Sequence, residues 1–505
     1  MRVAHERFDG EWSFVLTALG ITLGTGNVWR FPRIIAQEGG VFLIPWFVGL
    51  LLFCYPLLVA EAALGQRVRQ GLVGAFANLG DRRNASLGTF LAVTTLGTLC
   101  FDAVVCGWCI HYFVDALTHD LFASPLAGQT YYHQREWLDF AGTWDAVPFL
   151  VVALGVAWTV VSRGVRRGIE RMHRFAVPLV FSILFVLAVR GLTIAGVAAG
   201  LGHVFRIDWW RLTEPHLWYR GLLQAVGTTA AGWGWMLTYS GSMAPGTNRA
   251  RAVGRVVAGC VIASLLATLA LIPLAYGAEV SDALRRNLVS RAGGFMFVWV
   301  PTLLGRVSWG SILAILLCGA LALATVLTLV AQLETVVRIG VDLGAERVRL
   351  SGALALMAAV LGFPSARSMA VLDGQSWIFE TLALAGPALV GYAITRYGAE
   401  RLYREVFAPE ARPGIPERVF KVMFAVVAPA GTALLLAGQV LSTFRTSTSP
   451  GVAAFAPTGL GTVMLGALVV AIVARAFTPA IVQRTFEGQI SVFPRGLSKT
   501  PPRPE

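Results

Sequence analysis

The sequence predicts an all-α polytopic membrane protein with about twelve transmembrane helices. Hydrophobic residues make up 56% of the 505-residue chain and charged residues only 14%, a composition typical of membrane proteins rather than soluble enzymes. The apolar residues gather in runs of about twenty, the length with which a helix crosses a bilayer. Two of these runs contain glycines and polar residues at mid-depth, a pattern that broken membrane helices show.

The predicted spans follow one another with polar loops between them. Their approximate limits are 12–35, 40–65, 87–117, 146–162, 175–200, 219–241, 252–277, 308–338, 350–363, 376–396, 418–441 and 457–478. Arginines concentrate in every second loop, after spans two, four, six and ten, and this bias marks the cytoplasmic side of membrane proteins. We therefore expect both termini to be cytoplasmic.

The net charge of +13 and the isoelectric point near 10.0 come largely from arginines in the short loops between spans. In a soluble protein they would indicate a nucleic-acid partner, but these arginines flank apolar runs, so we expect a lipid bilayer and no nucleic acid. The C-x-x-C pair of Cys106 and Cys109 lacks a second ligand pair nearby, so it does not indicate a metal or redox site. Because the sequence shows no nucleophile–base pair or metal cluster, it predicts neither an enzyme nor an organic cofactor.

The first span is a poor helix interior. Residues 20–32 read GITLGTGNVWRFP and place three glycines, an amide, an arginine and a proline within an apolar run. In lipid, a backbone that leaves the helix must line a protein cavity, where its freed carbonyl and N–H groups can hold ions and substrate. The alternative is an ordinary glycine-rich helix whose small residues allow close packing.

The sixth span repeats this pattern, because residues 228–235 read TTAAGWGW. Two interrupted spans, five spans apart, predict two five-helix halves of opposite orientation, with the site where both breaks meet at mid-membrane. The predicted units are a cytoplasmic N-terminal segment (1–11), a first repeat (12–200), a second, inverted repeat (201–396), two accessory helices (397–478) and a basic cytoplasmic tail (479–505).

Several motifs in these spans resemble the neurotransmitter:sodium symporter family. They are GTGNVWRFP (24–32), GGVFLIPW (39–46), PLLVAEAALGQ (56–66), RRGIERMHRFAVPLVF (166–181), AVRGLTIAGVAAGL (188–201), LLQAVGTTAAGWGWMLTYSG (222–241) and LETVVRIGVD (333–342). The resemblance covers spans one to ten in order. It implies the leucine-transporter-type fold, a standard example of broken first and sixth helices, and an amino acid or amine bound beside sodium.

The resemblance also implies roles for individual residues. The substrate would be bound by Thr22, Thr25, Gly26, Asp102, Gly227, Thr228 and Ala230. A first sodium ion would be held by Thr22, Asn27 and Thr228, and a second by Gly20, Leu23, Ala324 and Thr328. The N–H groups of Thr25 and Gly26 fall at the start of a half-helix, a position that suits a substrate carboxylate.

Two positions depart from the sodium ligands that the family implies. The asparagine of span seven falls on Gly259 or Cys260, neither of which has an amide, and one of two span-eight hydroxyls falls on Leu327. A proton-coupled or uncoupled carrier therefore stays open as an alternative to sodium coupling. A membrane sensor that binds its ligand but transports little is the alternative from another class.

The substrate positions differ from the family pattern as well. Gly227 replaces a gating aromatic and Ala230 a hydroxyl, so we expect a larger and less polar pocket there. Asp102 replaces a tyrosine of span three. A carboxylate near the bilayer centre costs about 2.5–3.5 kcal/mol on insertion scales, so it needs a sodium ion, a proton or a cationic substrate group as partner. The alternative is that Asp102 turns away and hydrogen-bonds within the bundle.

Charged residues of spans one and ten are expected to form the outer gate. The family pattern pairs Arg30 with residue 376, which is Ser376, and Asp373 lies about one turn away. Glu380 has no family role and is expected to line the outer vestibule. Glu61 of span two is expected to tie the broken backbone of span six.

The inner gate is expected to involve Asp342 and a basic residue of the N-terminal segment. Arg2 or Arg7 would supply that charge, because His5 stands at the family's arginine position, and Phe8 takes the place of the family's tryptophan. The sequence thus predicts an alternating-access secondary transporter of a bacterial inner membrane. It would import a small amine or amino acid together with sodium, and its oligomeric state is left open.

Overall fold

The computed structural model describes residues 6–78, 84–118, 120–122, 124, 129–194, 197–277, 294–407, 416–446 and 456–487. Every element of secondary structure in this described part is a helix, which confirms the predicted all-α fold. The twelve predicted spans are called span 1 to span 12 in chain order.

Nine helical segments of the described part are long and apolar enough to cross a membrane. They correspond to spans 2, 3, 5 and 7–12, and comprise Gly40–Val68, Ala85–Thr118, Val165–Gly191, Arg249–Tyr276, Gly310–Asp342, Arg347–Arg367, Met369–Tyr397, Glu417–Ser442 and Leu460–Gln483. Span 4 is the shorter apolar helix Ala146–Ser162, and spans 1 and 6 are each divided into two helices. Because these three segments fall below that length, the count of twelve stays a prediction.

Shorter helices connect the spans. They are Leu72–Ala77, Asp120–Phe122, Thr130–Phe140, Val197–Phe205, Trp209–Thr213, Phe295–Trp299, Val300–Leu304 and Ala399–Phe407. Span 5 begins at Val165 rather than at residue 175, because its arginine-rich first turns are helical, and it ends at Gly191.

Span 1 is broken between residues 22 and 26. Its first helix is Glu11–Thr22, a wide π-helical turn covers Gly26–Arg30, and the second helix is Phe31–Glu38. The second helix has Pro32 within its first turn, where proline is tolerated because the N–H that it lacks would have no helical partner there. The break therefore falls within the glycine-containing stretch that the sequence singled out.

Span 6 is broken between residues 229 and 235. Its first helix, Pro215–Thr229, ends at Ala230, which adopts the left-handed conformation with φ 53°, and its second helix is Trp235–Ser240. Gly232 has φ 85°, and a Cβ added there would lie 2.5 Å from the backbone nitrogen of Pro387. Only glycine fits this position, because span 10 presses directly on the break.

Spans 1, 3, 6 and 8 form the centre of the bundle. Span 3 packs along span 8, and span 1 contacts spans 5, 7 and 8. In the apolar 18-residue stretch of span 3, 72% is buried inside the protein, whereas in that of span 12 only 11% is buried. Span 12 therefore lies at the edge of the bundle, where an apolar surface suits lipid.

Candidate substrate and ion site

A cavity of about 260 Å³ lies where the breaks of spans 1 and 6 face spans 3 and 8. Its walls include Thr22, Gly24, Thr25, Gly26, Arg30, Asp102, Gln224, Gly227, Ala230, Trp233, Thr328 and Glu380. A second cavity of about 150 Å³, which we call the vestibule, shares part of this wall and adds Asp373 and Ser376. The two breaks thus contact each other and also line a shared cavity.

Asn27 joins the two broken spans. Its side chain is fully buried, and Nδ2 donates to the carbonyl oxygens of Thr22 at 2.7 Å and Thr228 at 3.3 Å. The three residues that the resemblance implies for a first sodium ion therefore meet at one point, which we call the Asn27 site. Two carbonyls beside an amide form the kind of oxygen cluster that hard cations prefer.

Span 7 adds Ser264, a residue that the sequence reasoning missed. Its buried hydroxyl lies 3.1 Å from Oδ1 of Asn27. Cys260, one turn earlier on the same helix face, places its sulfur 3.1 Å from the Thr22 hydroxyl. The position that lacks the family's amide is therefore followed by an oxygen donor one turn later, and the spacing of four residues was the signal that could have revealed it.

Gln224 links the two breaks on the other side of Asn27. Its Nε2 donates to the carbonyl oxygen of Gly26 at 2.8 Å and to the hydroxyl of Thr228 at 3.1 Å. Trp46 of span 2 donates to the same hydroxyl at 3.4 Å. The sequence reasoning missed Gln224 as well, although it lies one helical turn before Thr228.

Thr328 connects span 8 with the break of span 1. Its hydroxyl lies 3.4 Å from the carbonyl oxygen of Ile21 and 3.3 Å from that of Ala324. Ile21 lies between Gly20 and Leu23, so this contact brings span 8 against the backbone that the resemblance assigns to a second sodium ion. Sodium binding at this point stays a prediction.

Two side chains restrict that second position. The side chain of Leu327 is fully buried and has no oxygen to offer. The ring of His173 from span 5 covers Gly20, because a Cβ added to this glycine would lie 2.0 Å from Cδ2 of the ring. The second position therefore has one side-chain hydroxyl, from Thr328, and otherwise backbone carbonyls.

Asp102 lines both the central cavity and the vestibule. The fully buried Gln332 of span 8 donates its Nε2 to Oδ2 of Asp102 at 2.5 Å. This position combines the two alternatives that the sequence left open, since the carboxylate has a partner within the bundle and still faces the cavity. A carboxylate accepts several hydrogen bonds, so one bond leaves capacity for a ligand.

The outer charged pair differs from the expected one. Arg30 pairs with Glu380 at 2.8 Å, and the hydroxyl of Ser376 donates to the carbonyl oxygen of Asp373 within span 10. Asp373 and Ser376 line the vestibule near Arg30, but the carboxylate that Arg30 meets is one turn further along the helix. The structure thus corrects the expected partner and gives Glu380 a defined contact.

At the inner end, Asp342 meets an arginine of its own helix. Asp342 pairs with Arg338 at 2.9 Å and accepts a hydrogen bond from the N–H of Gly71 at 2.6 Å. Arg7 is exposed and makes no ion pair with Asp342 in the described part of the chain. Arg338 lies four residues earlier on the same helix, the spacing at which two side chains of a helix meet. Arg2 and His5 lie outside the described residues.

Phe8 and Glu61 occupy buried positions. Phe8 is 3% exposed, and its N–H donates to the carbonyl oxygen of Ser242 at 2.9 Å, which anchors the N-terminal segment beneath span 6. The carboxylate of Glu61 is fully buried beside the N–H groups of Gly232 and Gly234, without reaching regular hydrogen-bond geometry. Glu61 therefore lies where it was expected, next to the broken backbone of span 6.

Comparison with known proteins identifies several relatives. The sodium-dependent neutral amino acid transporter SLC6A17 of Rattus norvegicus is 27% identical over 273 residues, which cover 47% of this chain and 37% of that protein. The protein named uncharacterized sodium-dependent transporter YhdH, of Bacillus subtilis (strain 168), is 27% identical over 363 residues, covering 71% and 78%. The chain therefore matches little more than a third of the mammalian relative and most of the bacterial one.

The fold is shared with a solved structure, that of MhsT in complex with L-phenylalanine. The two superpose with a TM-score of 0.75 at 22% identity, over 86% of this chain and 100% of MhsT. The model of the sodium:neurotransmitter symporter family matches residues 5–136 and 130–436, which include spans 1 to 10 and most of span 11. This multi-pass membrane protein belongs to the sodium:neurotransmitter symporter family.

Proposed function

We propose that this protein is a secondary transporter that imports a small amine or amino acid together with sodium by alternating access. The observation that carries the proposal is the Asn27 site, where the backbones of both broken helices meet beside the central cavity. A ligand bound there contacts both halves of the bundle, so its binding can bias how the halves move against each other. No step of this process requires an enzyme or an organic cofactor.

Sodium would bind at the Asn27 site by replacing a hydrogen bond. Nδ2 of Asn27 points at two carbonyl oxygens, and a cation seeks those same oxygens. If the amide turns over, Oδ1 faces the ion and Nδ2 faces the hydroxyl of Ser264, which can accept as well as donate. Ser264 therefore satisfies Asn27 in both orientations, a property that suits a site that fills and empties.

The substrate would lie between the broken spans and Asp102. The N–H groups of Thr25 and Gly26 suit a carboxylate, and Asp102 suits a cationic amine. The rat relative is named for neutral amino acids, and MhsT is solved with L-phenylalanine, which supports an amino acid. An amine without a carboxylate is the second candidate, because Asp102 repels a carboxylate placed close to it.

A charged pair at the outer end and a hydrogen bond at the inner end would close the site in turn. The Arg30–Glu380 pair joins spans 1 and 10 across the mouth of the cavity. Asp342 instead joins the end of span 8 to Gly71, which follows span 2. We place both termini in the cytoplasm of a bacterium, divide the chain into the two five-helix repeats at about residue 200, and treat spans 11 and 12 as accessories.

A ligand screen by thermal unfolding tests this proposal. The purified full-length protein is heated in sodium, potassium or choline chloride at equal ionic strength, with each of the common amino acids and the amines derived from them. We expect at least one compound to raise the melting temperature more in sodium, because a bound ligand stabilises the folded state by mass action. A compound that binds equally in all three salts would point to the uncoupled carrier or to the sensor.

A further inference from the structure

A cluster of arginines lies at the junction of spans 4 and 5, away from the central cavity. Five of them surround an open pocket of about 820 Å³ together with one acid and one aromatic side chain, and we call this the arginine pocket. Its residues are Asp9, Arg163, Arg166, Arg167, Arg171, Arg174 and Phe175. None of these residues lines the central cavity or the vestibule.

The local structure explains why these side chains converge. Span 4 ends at Ser162, and the chain turns at Gly164, with φ 85°, directly into the helix of span 5. Arg167, Arg171 and Arg174 then recur at helical spacing, so they project from one face of the first turns of span 5. A connection this short forces the cationic side chains to remain at the end of the bundle.

The pocket carries excess positive charge. Arg166 pairs with Asp9 at 2.6 Å, and Arg174 pairs with Asp9 at 3.1 Å and with Glu170 at 2.7 Å. The remaining three arginines, Arg163, Arg167 and Arg171, are exposed and form no ion pair with a carboxylate in the part of the chain that the structure describes. Guanidinium groups without carboxylates match the oxygens of a phosphate through paired N–H donors.

The pocket continues into an apolar surface. Phe175, at its rim, is 69% exposed, and Leu179, one turn further along span 5, is 52% exposed. In a membrane these side chains face acyl chains, so the pocket stands at the boundary where a lipid headgroup meets its tails. A free phosphate would use only the arginines, whereas a phospholipid would use both surfaces.

We propose that the arginine pocket binds the phosphate of an anionic phospholipid, with the acyl chains lying along Phe175 and Leu179. This inference does not depend on the identity of the transported substrate. Clusters of basic residues beside a membrane helix are the surfaces that attract anionic lipids. Here the short turn at Gly164 converts such a cluster into a concave site.

Lipid binding would compete with the N-terminal segment. Asp9 holds Arg166 and Arg174, and its hydrogen bond with Arg174 lowers the pKa of Asp9, so the group is ionised at neutral pH. The preceding residue, Phe8, anchors the same segment at Ser242. A phosphate that binds Arg166 and Arg174 in place of Asp9 would therefore remove one of the contacts that hold the N-terminal segment against the bundle.

The test uses the full-length protein in a neutral detergent. Dioctanoyl phosphatidylglycerol, dioctanoyl phosphatidylcholine and glycerol 3-phosphate are titrated separately while thermal unfolding is followed. We expect a saturable rise of about 2–4 °C with phosphatidylglycerol alone, since binding stabilises the folded state. Arg167→Gln/Arg171→Gln should weaken the apparent affinity by at least about tenfold, whereas Asp9→Asn should strengthen it by removing the competing acid.

The control removes two other exposed arginines. Arg251→Gln/Arg418→Gln takes the same charge from the starts of spans 7 and 11 and should leave the titration unchanged. Arg167→Lys/Arg171→Lys keeps the charge but not the paired N–H donors, so it should give a rise between those of the wild type and the glutamine variant, which separates charge loss from misfolding. An equal rise with phosphatidylcholine, a full rise with glycerol 3-phosphate, or an unchanged titration in the glutamine variant would each overturn the proposal.

Discussion

At the scale of single residues, the contacts of Asn27 depend on neighbours that lie far away in the sequence. Asn27 and Thr228 could be predicted, because each lies in a stretch that interrupts an apolar run. Ser264 could be found only through its spacing, four residues after Cys260, since a serine within span 7 otherwise looks like one that bonds its own helix. The partner of Arg30 was predicted one turn away from Glu380, because the rotation of span 10 is set by packing and not by its own sequence.

Removal of the Ser264 hydroxyl should weaken sodium binding. Ser264→Ala would leave the buried Nδ2 of Asn27 without the partner proposed for its sodium-bound orientation, whereas the empty orientation keeps both bonds from Nδ2 to the carbonyls. The bound state should therefore lose more, and a difference of about 0.5–1.5 kcal/mol, the size of one hydrogen bond, would raise the half-saturating sodium concentration about twofold to tenfold. Sodium titration by thermal unfolding measures it. Thr268→Val is the matched control, because among the residues that the structure describes the buried Thr268 hydroxyl bonds only the carbonyl of Ser264 in its own helix. An equal effect of both variants would remove the special role of Ser264.

Asp102 should decide which ligands bind. Asp102→Asn keeps the shape and the contact with Gln332 but removes the charge that would pair with a substrate amine. Loss of one partner of a buried charge pair costs on the order of 3–5 kcal/mol, so amine binding should fall at least a hundredfold. Isothermal titration with the best amine of the ligand screen measures this loss. Unchanged affinity in Asp102→Asn would show that Asp102 only supports the bundle.

At the scale of elements, the breaks could be predicted but their causes could not. The glycines of residues 228–235 marked span 6 as interrupted, yet the contact of Gly232 with Pro387 of span 10 appears only in three dimensions. The arginine-rich start of span 5 was excluded from the predicted helix because apolar residues alone defined its limits. Charged side chains at a helix end do not prevent the backbone from being helical.

Substitution at the break of span 6 should separate strain from steric overlap. Gly232→Ala adds a Cβ that would lie 2.5 Å from a backbone atom of Pro387, at φ 85°. Gly246→Ala is the control, because this glycine has φ 79° and nothing within 4 Å of an added Cβ. The control should cost about 1–2 kcal/mol of unfolding free energy and Gly232→Ala about 1–3 kcal/mol more. Equal losses in chemical denaturation would mean that span 10 does not press on the break.

At the scale of the whole molecule, Glu38 connects the end of the first broken helix with the helix Trp209–Thr213 and with span 6 through ion pairs. Its side chain is buried beyond residue 35, the predicted limit of span 1, and binds Arg211 of the helix Trp209–Thr213 at 2.5 Å and Arg220 of span 6. Burial opposes the charged form of Glu38, but Arg211 and Arg220 outweigh it and lower the pKa below the ordinary 4.5. A group whose pKa is lowered in the folded state stabilises the protein above the ordinary pKa and loses this effect as the pH falls through the lowered value.

Stability should therefore decrease as the pH falls below about 4.5, and Glu38→Gln should remove part of that dependence. At neutral pH the variant should lose about 1–3 kcal/mol, because two arginines lose a charged partner. Melting temperatures measured from pH 3 to pH 7 check this expectation. Glu214→Gln is the control, since this more exposed acid lies 3.6 Å from the same Arg211. A parallel pH profile in the wild type and in Glu38→Gln would contradict the assignment.

The most direct test of sodium-coupled transport is uptake into proteoliposomes that contain the full-length protein. Radiolabelled amino acids and amines are added outside under an inward sodium gradient, with an inward potassium gradient and Asn27→Ala as controls. The Asn27 site predicts that at least one compound accumulates inside above its external concentration in sodium only, and that Asn27→Ala abolishes the accumulation. Accumulation that is equal in potassium, or that persists in Asn27→Ala, would contradict it.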